Sequence, residues 1–279
     1  MALQTSGAIS LNDIHIEAGG SSGTNASIND ADIRGLISKA SGATMSFSEW
    51  YGASNLLTLS GQSTAQNSGY VSGNSFTIGL PTSQSGDLAI ISVAVTAVQS
   101  YGYPSVSINL PSGWTGVYGS QQTAVDGPYG GKAENYYRRA FYTYYKVLSG
   151  ETSVTHSVTK SNAQNTTYYS VTSHIYRPAG SISSVTLNDV EIGSSSTINC
   201  SGAGAAVIAF RGSGGRDSLT HSWSAGPTYQ TGLWYDSGAA DVGTRLSSYL
   251  QNTSSPANVN TSQTTGTYNA YVSGFLKVT

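Results

Sequence analysis

The sequence is poor in charge, in cysteine and in long apolar runs. Only 9% of its 279 residues are charged, against about 25% in an ordinary soluble domain. Twelve basic and 14 acidic residues leave a net charge of −2. That lacks the basic footprint needed to follow a nucleic-acid backbone, so no nucleic-acid partner is expected. The single cysteine, Cys200, can form neither an intrachain disulfide nor a thiolate-rich zinc site, and it reads as a small apolar filler. No apolar run reaches the ~20 residues of a membrane-crossing helix, so membrane insertion is not expected. Residues 1–10 show neither a charged n-region nor an apolar h-region, and no Sec-type signal is read there.

What is abundant is Ser, Thr and Gly, together 109 residues, and Tyr, with 19 copies beside 5 Phe and 4 Trp. Small hydroxyl residues with Tyr and β-branched side chains suit a β-sandwich or a fibre-like β protein. The length allows one large β domain with a small appendage. A composition shift near residue 55 marks the boundary. Residues 1–54 carry Arg34 and Lys39 against Asp13, Glu17, Asp30, Asp32 and Glu49, whereas residues 55–279 are nearly balanced.

The first part repeats one local signal three times. Ser10-Leu11-Asn12-Asp13, Ser27-Ile28-Asn29-Asp30 and Ser46-Phe47-Ser48-Glu49 each read Ser-x-x-acid. In such a box the serine accepts from an early helical N–H and the acid reaches back, complementing the positive helix end. Glycines at 19–20, 42 and 52 supply stops. Three short helices are predicted, near 10–17, 28–38 and 46–51. Ile14, Ile33, Leu36, Ile37, Phe47 and Trp50 would form one small apolar cluster. A unit of this size buries little alone. It therefore leans on a partner, or else caps the β domain that follows.

From Leu56 onward the hydrophobic period is two. Strands are predicted at 75–80, 87–95, 105–110, 136–147, 153–158 and 168–176, separated by Gly/Ser/Asn/Pro clusters. The near-continuous apolar run 87–95 reads as a central strand. The second half echoes the first: 204–210 matches 88–95, 223–229 matches 111–118, 244–250 matches 139–146 and 268–278 matches 168–176. The expected fold is mainly β, an antiparallel, jelly-roll-like sandwich of two pseudo-repeated halves behind a small helical module. One sandwich is preferred, because 180–200 holds strand-like stretches. The competing layout is two small sandwiches split near Pro178-Ala179-Gly180.

Motifs that carry chemistry are scarce. His15, His156, His174 and His221 form no metal-ligand spacing, although His156 and His174 lie on strands that could be neighbours. Asp87, Asp126, Glu134, Glu151, Asp189, Glu191, Asp217, Asp236 and Asp241 sit mostly in turn-like contexts and offer no persuasive acid/base pair. Gly212-Ser213-Gly214-Gly215 lacks the Lys-Ser/Thr and the helix of a phosphate cradle, and reads as a flexible loop. No nucleophile elbow or calcium loop occurs. No enzyme, metal or cofactor is expected. Tyr142 and Tyr144 share one strand face, and Phe141 and Tyr145 share the other. Tyr101, Tyr103, Tyr129, Trp234 and Tyr235 fall in turn-rich segments and are the candidate ligand-contacting loop aromatics, able to stack on sugar rings.

Residues 8–20, 26–36 and 46–54, with all three Ser-x-x-acid boxes, resemble the N-terminal module of tailed-bacteriophage virion fibre and tail-fibre-like proteins, common in marine and cyanobacterial phages. The remainder is similar, more loosely, to β-sandwich domains of phage structural proteins, in Gly86-Asp87, Pro111-Ser112-Gly113-Trp114 and Tyr144-Tyr145-Lys146-Val147. The resemblance implies a virion component, assembled as a homotrimer and attached to tail, neck or baseplate proteins through residues 1–54. Residues 55–279 would face the host and its surface polysaccharide. Leu11, Ile14, Ile16, Ile28, Ile33, Leu36, Ile37, Phe47, Trp50 and Tyr51 are then the expected anchoring and assembly residues.

Overall fold

A computed structural model describes residues 3–18, 20–37, 39, 41–51, 53, 57–66, 74–99, 105–126, 135–161, 167–178, 182, 184–191, 195–198, 206–215, 221–223, 229–235, 241–249, 259–263 and 270–278. Two helices, α1 (Leu11–Glu17) and α2 (Ala31–Gly35), and a 3₁₀ turn at Phe47–Trp50 precede sixteen strands. The first eight are β1 (Leu57–Gln66), β2 (Ser75–Gly79), β3 (Leu88–Gln99), β4 (Ser105–Asn109), β5 (Thr115–Asp126), β6 (Asn135–Val147), β7 (Ser153–Ser161) and β8 (Thr167–Pro178). The second eight are β9 (Val185–Glu191), β10 (Ser195–Ile198), β11 (Ala206–Gly215), β12 (His221–Trp223), β13 (Tyr229–Tyr235), β14 (Asp241–Tyr249), β15 (Val259–Gln263) and β16 (Ala270–Val278).

The fold is mainly β, an antiparallel sandwich architecture behind a small helical element. Its sheets are β1-β8-β3-β6-β5 with β2-β7-β4, and β9-β16-β11-β14-β13 with β10-β15-β12. Adding eight to every strand number of the first pair produces the second pair. The repetition extends to an irregularity. Ser60 is an extra residue in β1 opposite β8, and Asn188 is an extra residue in β9 opposite β16, each after the third residue of its strand. Three of the four sequence echoes fall on strands that correspond in this scheme: β3 with β11, β6 with β14 and β8 with β16. Among the described residues every strand pairs within its own half. The halves are joined by packing. Each is a five-plus-three unit, and the two five-stranded sheets lie face to face.

The reason is visible in β3. Ala89, Ile91, Val93, Val95 and Ala97 point to the layer shared with Phe76, Ile78, Val106, Ile108, Val154 and Val158 of the three-stranded sheet. Leu88, Ile90 and Ala94 point the other way, to Ile208, Phe210, Leu246 and Leu276 of the second half. Successive strand residues alternate sides, so a strand with apolar cover on both faces has no solvent-facing row. The contacts are reciprocal: β1 lies against β13 and β9 against β5, β3 against β14 and β11 against β6, while β3 and β11 meet each other. That reciprocity describes an isologous interface with an approximate two-fold axis inside one chain.

Two local readings are corrected here. Gly212–Gly215 is no loop; it is the C-terminal part of β11, paired with β14 and β16. Gly212 is buried against the Phe141 ring, where a Cβ would come within 2.5 Å of Cδ1. The missing side chain is what lets the sheets close. β5 escaped prediction because Gly116, Gly119, Gln121 and Gln122 interrupt its apolar alternation, as an edge strand tolerates.

Gly212→Val should therefore destabilise the chain by ~1–3 kcal/mol in urea titration. Gly79→Ala, where nothing lies within 4 Å of the added methyl, should change stability by under ~0.5 kcal/mol.

Candidate functional site

The helical module is built by its caps. Ser10 Oγ accepts from Asp13 N at 3.1 Å, and Asp13 Oδ2 accepts from Ser10 N at 2.9 Å. The Ser10 hydroxyl and backbone hold the Asp13 carboxyl below its ordinary range. Ser46 N donates to Glu49 Oε2 at 2.9 Å at the 3₁₀ turn, and Lys39 pairs with the other Glu49 oxygen at 2.7 Å. Those bonds, Lys39 first, keep Glu49 low. The middle box behaves differently. Ser27 N donates to Asp30 Oδ2 at 2.8 Å, but α2 begins only at Ala31, so this box forms the turn before the helix.

Those three elements close one core of Leu3, Ile14, Ala18, Ile33, Leu36 and Trp50, with Ile9, Leu11, Ile28 and Ile37 packed around it. Trp50 Nε1 donates to the Ile33 carbonyl at 3.1 Å, and Leu3 N donates to the Ala53 carbonyl at 2.8 Å, tying the ends of the module together. Among the described residues no strand residue belongs to this cluster. Of the ten expected anchoring residues, Ile14, Ile33, Leu36 and Trp50 are buried in the module's interior. Leu11, Ile28 and Ile37 are half-buried. Ile16, Phe47 and Tyr51 stand out, 45%, 44% and 37% exposed. The Tyr51 hydroxyl is fixed by the Gly7 carbonyl, and the Phe47 ring rests 5.9 Å from that of Trp50. These three are the apolar surface the module offers.

The aromatic candidates on the β domain fare unevenly. Tyr101, Tyr103 and Tyr129 lie outside the described residues, as do Cys200, Asp217 and Asp236. Trp234 and Tyr235 are corrected from loop to strand: both belong to β13, opposite Gly243 and Val242 of β14. The strand aromatics divide by face as read from the sequence. Tyr144, with Tyr142 beside it, enters the inner layer of the first sandwich, and Phe141 and Tyr145 enter the layer between halves.

A cleft of about 350 Å³ opens at the end of β8, lined by Gln84, Ser85, Gly86, Asp87, Val147, Arg177, Pro178 and Ile182. Its floor is Asp87, only 1% exposed. Asp87 Oδ1 and Oδ2 accept from Arg177 Nε and Nη2 at 3.0 and 3.1 Å, and Oδ2 also accepts from Gln84 N at 2.9 Å. The pairing raises the Arg177 pKa. The turn at Gly86-Asp87 was legible, with Gly86 at φ +91°. Arg177 was not, because it stands 90 residues away and carries no local signal. Nearby, Glu151 is bound by Lys146 at 2.5 Å and by Ser149 N at 2.6 Å, and these hold its carboxyl at about 2. Both carboxylates are committed to structural pairs, an arrangement suited to fixing the β3 and β6 ends.

His156 and His174 are on different sheets and on opposite sides of the central one, so they are not neighbours. His156 is fully buried between the Phe76 ring, stacked at 4.7 Å, and Tyr144 at 5.6 Å. Neither ring nitrogen has a hydrogen-bond partner. Burial lowers its pKa to about 4, opposed only by the Phe76 backbone nearby. Among the described residues no three His, Cys, Asp or Glu side chains come together as a metal site, and no helix is long and apolar enough to cross a membrane. Comparison with family models, with curated proteins and with solved structures finds no match for this chain.

Asp87→Ala should cost ~1–3 kcal/mol in urea titration, since it leaves Gln84 N–H without its acceptor while half-exposed Arg177 rehydrates. Glu151→Gln at the more open Lys146 pair should cost under ~1 kcal/mol.

Proposed function

We propose that this chain is a structural, non-catalytic component of a bacteriophage virion, a short fibre or adhesin displayed on the particle surface. Residues 1–54 would attach it to tail, neck or baseplate proteins, and residues 55–279 would project. The observation that carries this reading is the division of the molecule. A helical module closes a core to which, among the described residues, no strand contributes, yet leaves Ile16, Phe47 and Tyr51 at its surface. So small a unit is marginally stable alone, and covering those side chains with a partner adds what its own core lacks. The likeness of residues 8–54 to fibre N-terminal modules points the same way. In a homotrimer the same three side chains are available for subunit contacts.

The face such a head would turn to a neutral host polysaccharide is the outer surface of β2-β7-β4. Its outward residues are Ser75, Thr77, Ser105, Ser107, Asn109, Thr155, Ser157, Thr159 and Ser161, with no charge among them. The hydroxyls are held in place by one another. Thr77 Oγ1 meets Thr155 Oγ1 at 2.7 Å, and Asn109 Nδ2 donates to Ser157 and Thr159 at 3.1 and 3.2 Å. Each hydroxyl keeps capacity for a further bond, as a sugar requires.

A chain lacking residues 1–54 should keep its strand circular-dichroism signal and fail to join particles; normal incorporation would reject the anchor. Ile16→Asp with Phe47→Asp should lower incorporation by about tenfold or more, the effect of ~1.4 kcal/mol. Light scattering of the full chain should give the mass of three copies. Thr77→Lys with Thr155→Lys should weaken retention on neutral polysaccharide at unchanged thermal stability; equal retention would remove this face from the reading.

A further inference from the structure

His174 lies on the face of β8 turned toward the second half and is fully buried. Its Nδ1 is 2.7 Å from the Tyr176 hydroxyl, and its Nε2 has no partner. Its register partners are Gln62 on β1 and Ile90 on β3. Across the interface β13 and β14 pack over β8. Thr244 of β14 bonds Thr172 at 2.8 Å and Ser170 at 3.1 Å, Thr231 of β13 bonds Gln62, and buried Leu246 and Ser248 complete this side. Among the described side chains of β1, β3, β8, β13 and β14, the titratable groups on this face besides His174 are the hydroxyls of Tyr168 and Tyr176. No carboxylate is among them. The charged group of this face is Arg139, two strands away on β6, and its sign disfavours a second cation. Burial pushes the Tyr176 hydroxyl well above its ordinary range, so it stays neutral.

A neutral imidazole fits here with one nitrogen on Tyr176. A protonated ring has two N–H donors, and the Nε2–H would have no acceptor between the sheets. A buried cation without an anion is costly, and parting the two faces admits water to it. We propose that protonation of His174 on acidification weakens the interface between the two sandwiches and lets them part, still joined through the chain from Pro178 to Val185. This goes beyond the virion reading and does not depend on it.

The direction follows from linkage. Burial lowers the His174 pKa from its ordinary 6.5 to about 4. The closed form therefore has its full stability above about 6.5 and loses it as pH falls toward 4. Over the whole titration, from well above pH 6.5 to well below pH 4, the opening equilibrium should rise about 300-fold, and about 80-fold of that falls between 6.5 and 4. His156 shares the range, so the full-length His156→Phe chain, whose new ring can keep the stack on Phe76, is the background for the test. Its radius of gyration in small-angle scattering should increase between about pH 6 and 4, and adding His174→Phe should hold it compact to lower pH. In the unmodified chain the His174 ring carbon resonance should titrate together with the increase in radius. Three results would overturn the proposal: a double variant that opens at the same pH, a His156→Phe chain that stays compact through pH 4, or a His174 resonance with an ordinary midpoint in a compact chain.

Discussion

A five-stranded sheet covered on both faces is the constraint from which the rest of this structure follows. Once β1-β8-β3-β6-β5 has a three-stranded sheet on one side and its own repeat on the other, β3 can carry no exposed row, and its run of buried residues extends from Leu88 to Ala97. Several of the polar positions that remain in that sheet pair with one another or across the interface. Ser92 meets Thr143 at 3.2 Å, and Thr172 meets Thr244 from the other half at 2.8 Å. Buried hydroxyls left alone would cost more than such pairs contribute, so they also tie the two halves in one relative position. Close approach of the sheets then demands that Phe141 face a glycine.

The same constraint explains why duplication works. An eight-strand unit that exposes one apolar sheet face is unstable in water until something covers it, and the same face of a second unit is self-complementary around a two-fold axis. Fusion of the two units in one chain makes that covering intramolecular. The helical module stands apart from this arrangement. Its core is closed by Trp50 and Ile33, and Ile16, Phe47 and Tyr51 are exposed.

Much of this was legible in the sequence because it is local or periodic. The capping serines at 10 and 46, the period-two runs and the recurrence of strand order each need only residues close in the chain. Interior placement of Ile14, Ile33, Leu36 and Trp50 followed from the apolar spacing, but that spacing carries no information on which side chains a partner could reach. Gly212–Gly215 misled because glycine signals a turn and a close approach equally well, and only the Phe141 ring, from the other half, distinguishes them. Trp234 and Tyr235 misled for a related reason. Their glycine-rich surroundings resemble a loop, while their backbone is paired with β14.

The mainly β character, the capped turns at Ser10 and Ser46 and the recurrence of strand order in the β region were determined by the sequence alone, through capping and alternation. Tertiary structure decided the rest: pairing of strands within each half, the back-to-back stacking of the five-stranded sheets, the Asp87–Arg177 pair and the different sides taken by His156 and His174. These depend on groups that meet from distant parts of the chain. A period of two states that a strand has two faces, and only packing states what each face will touch.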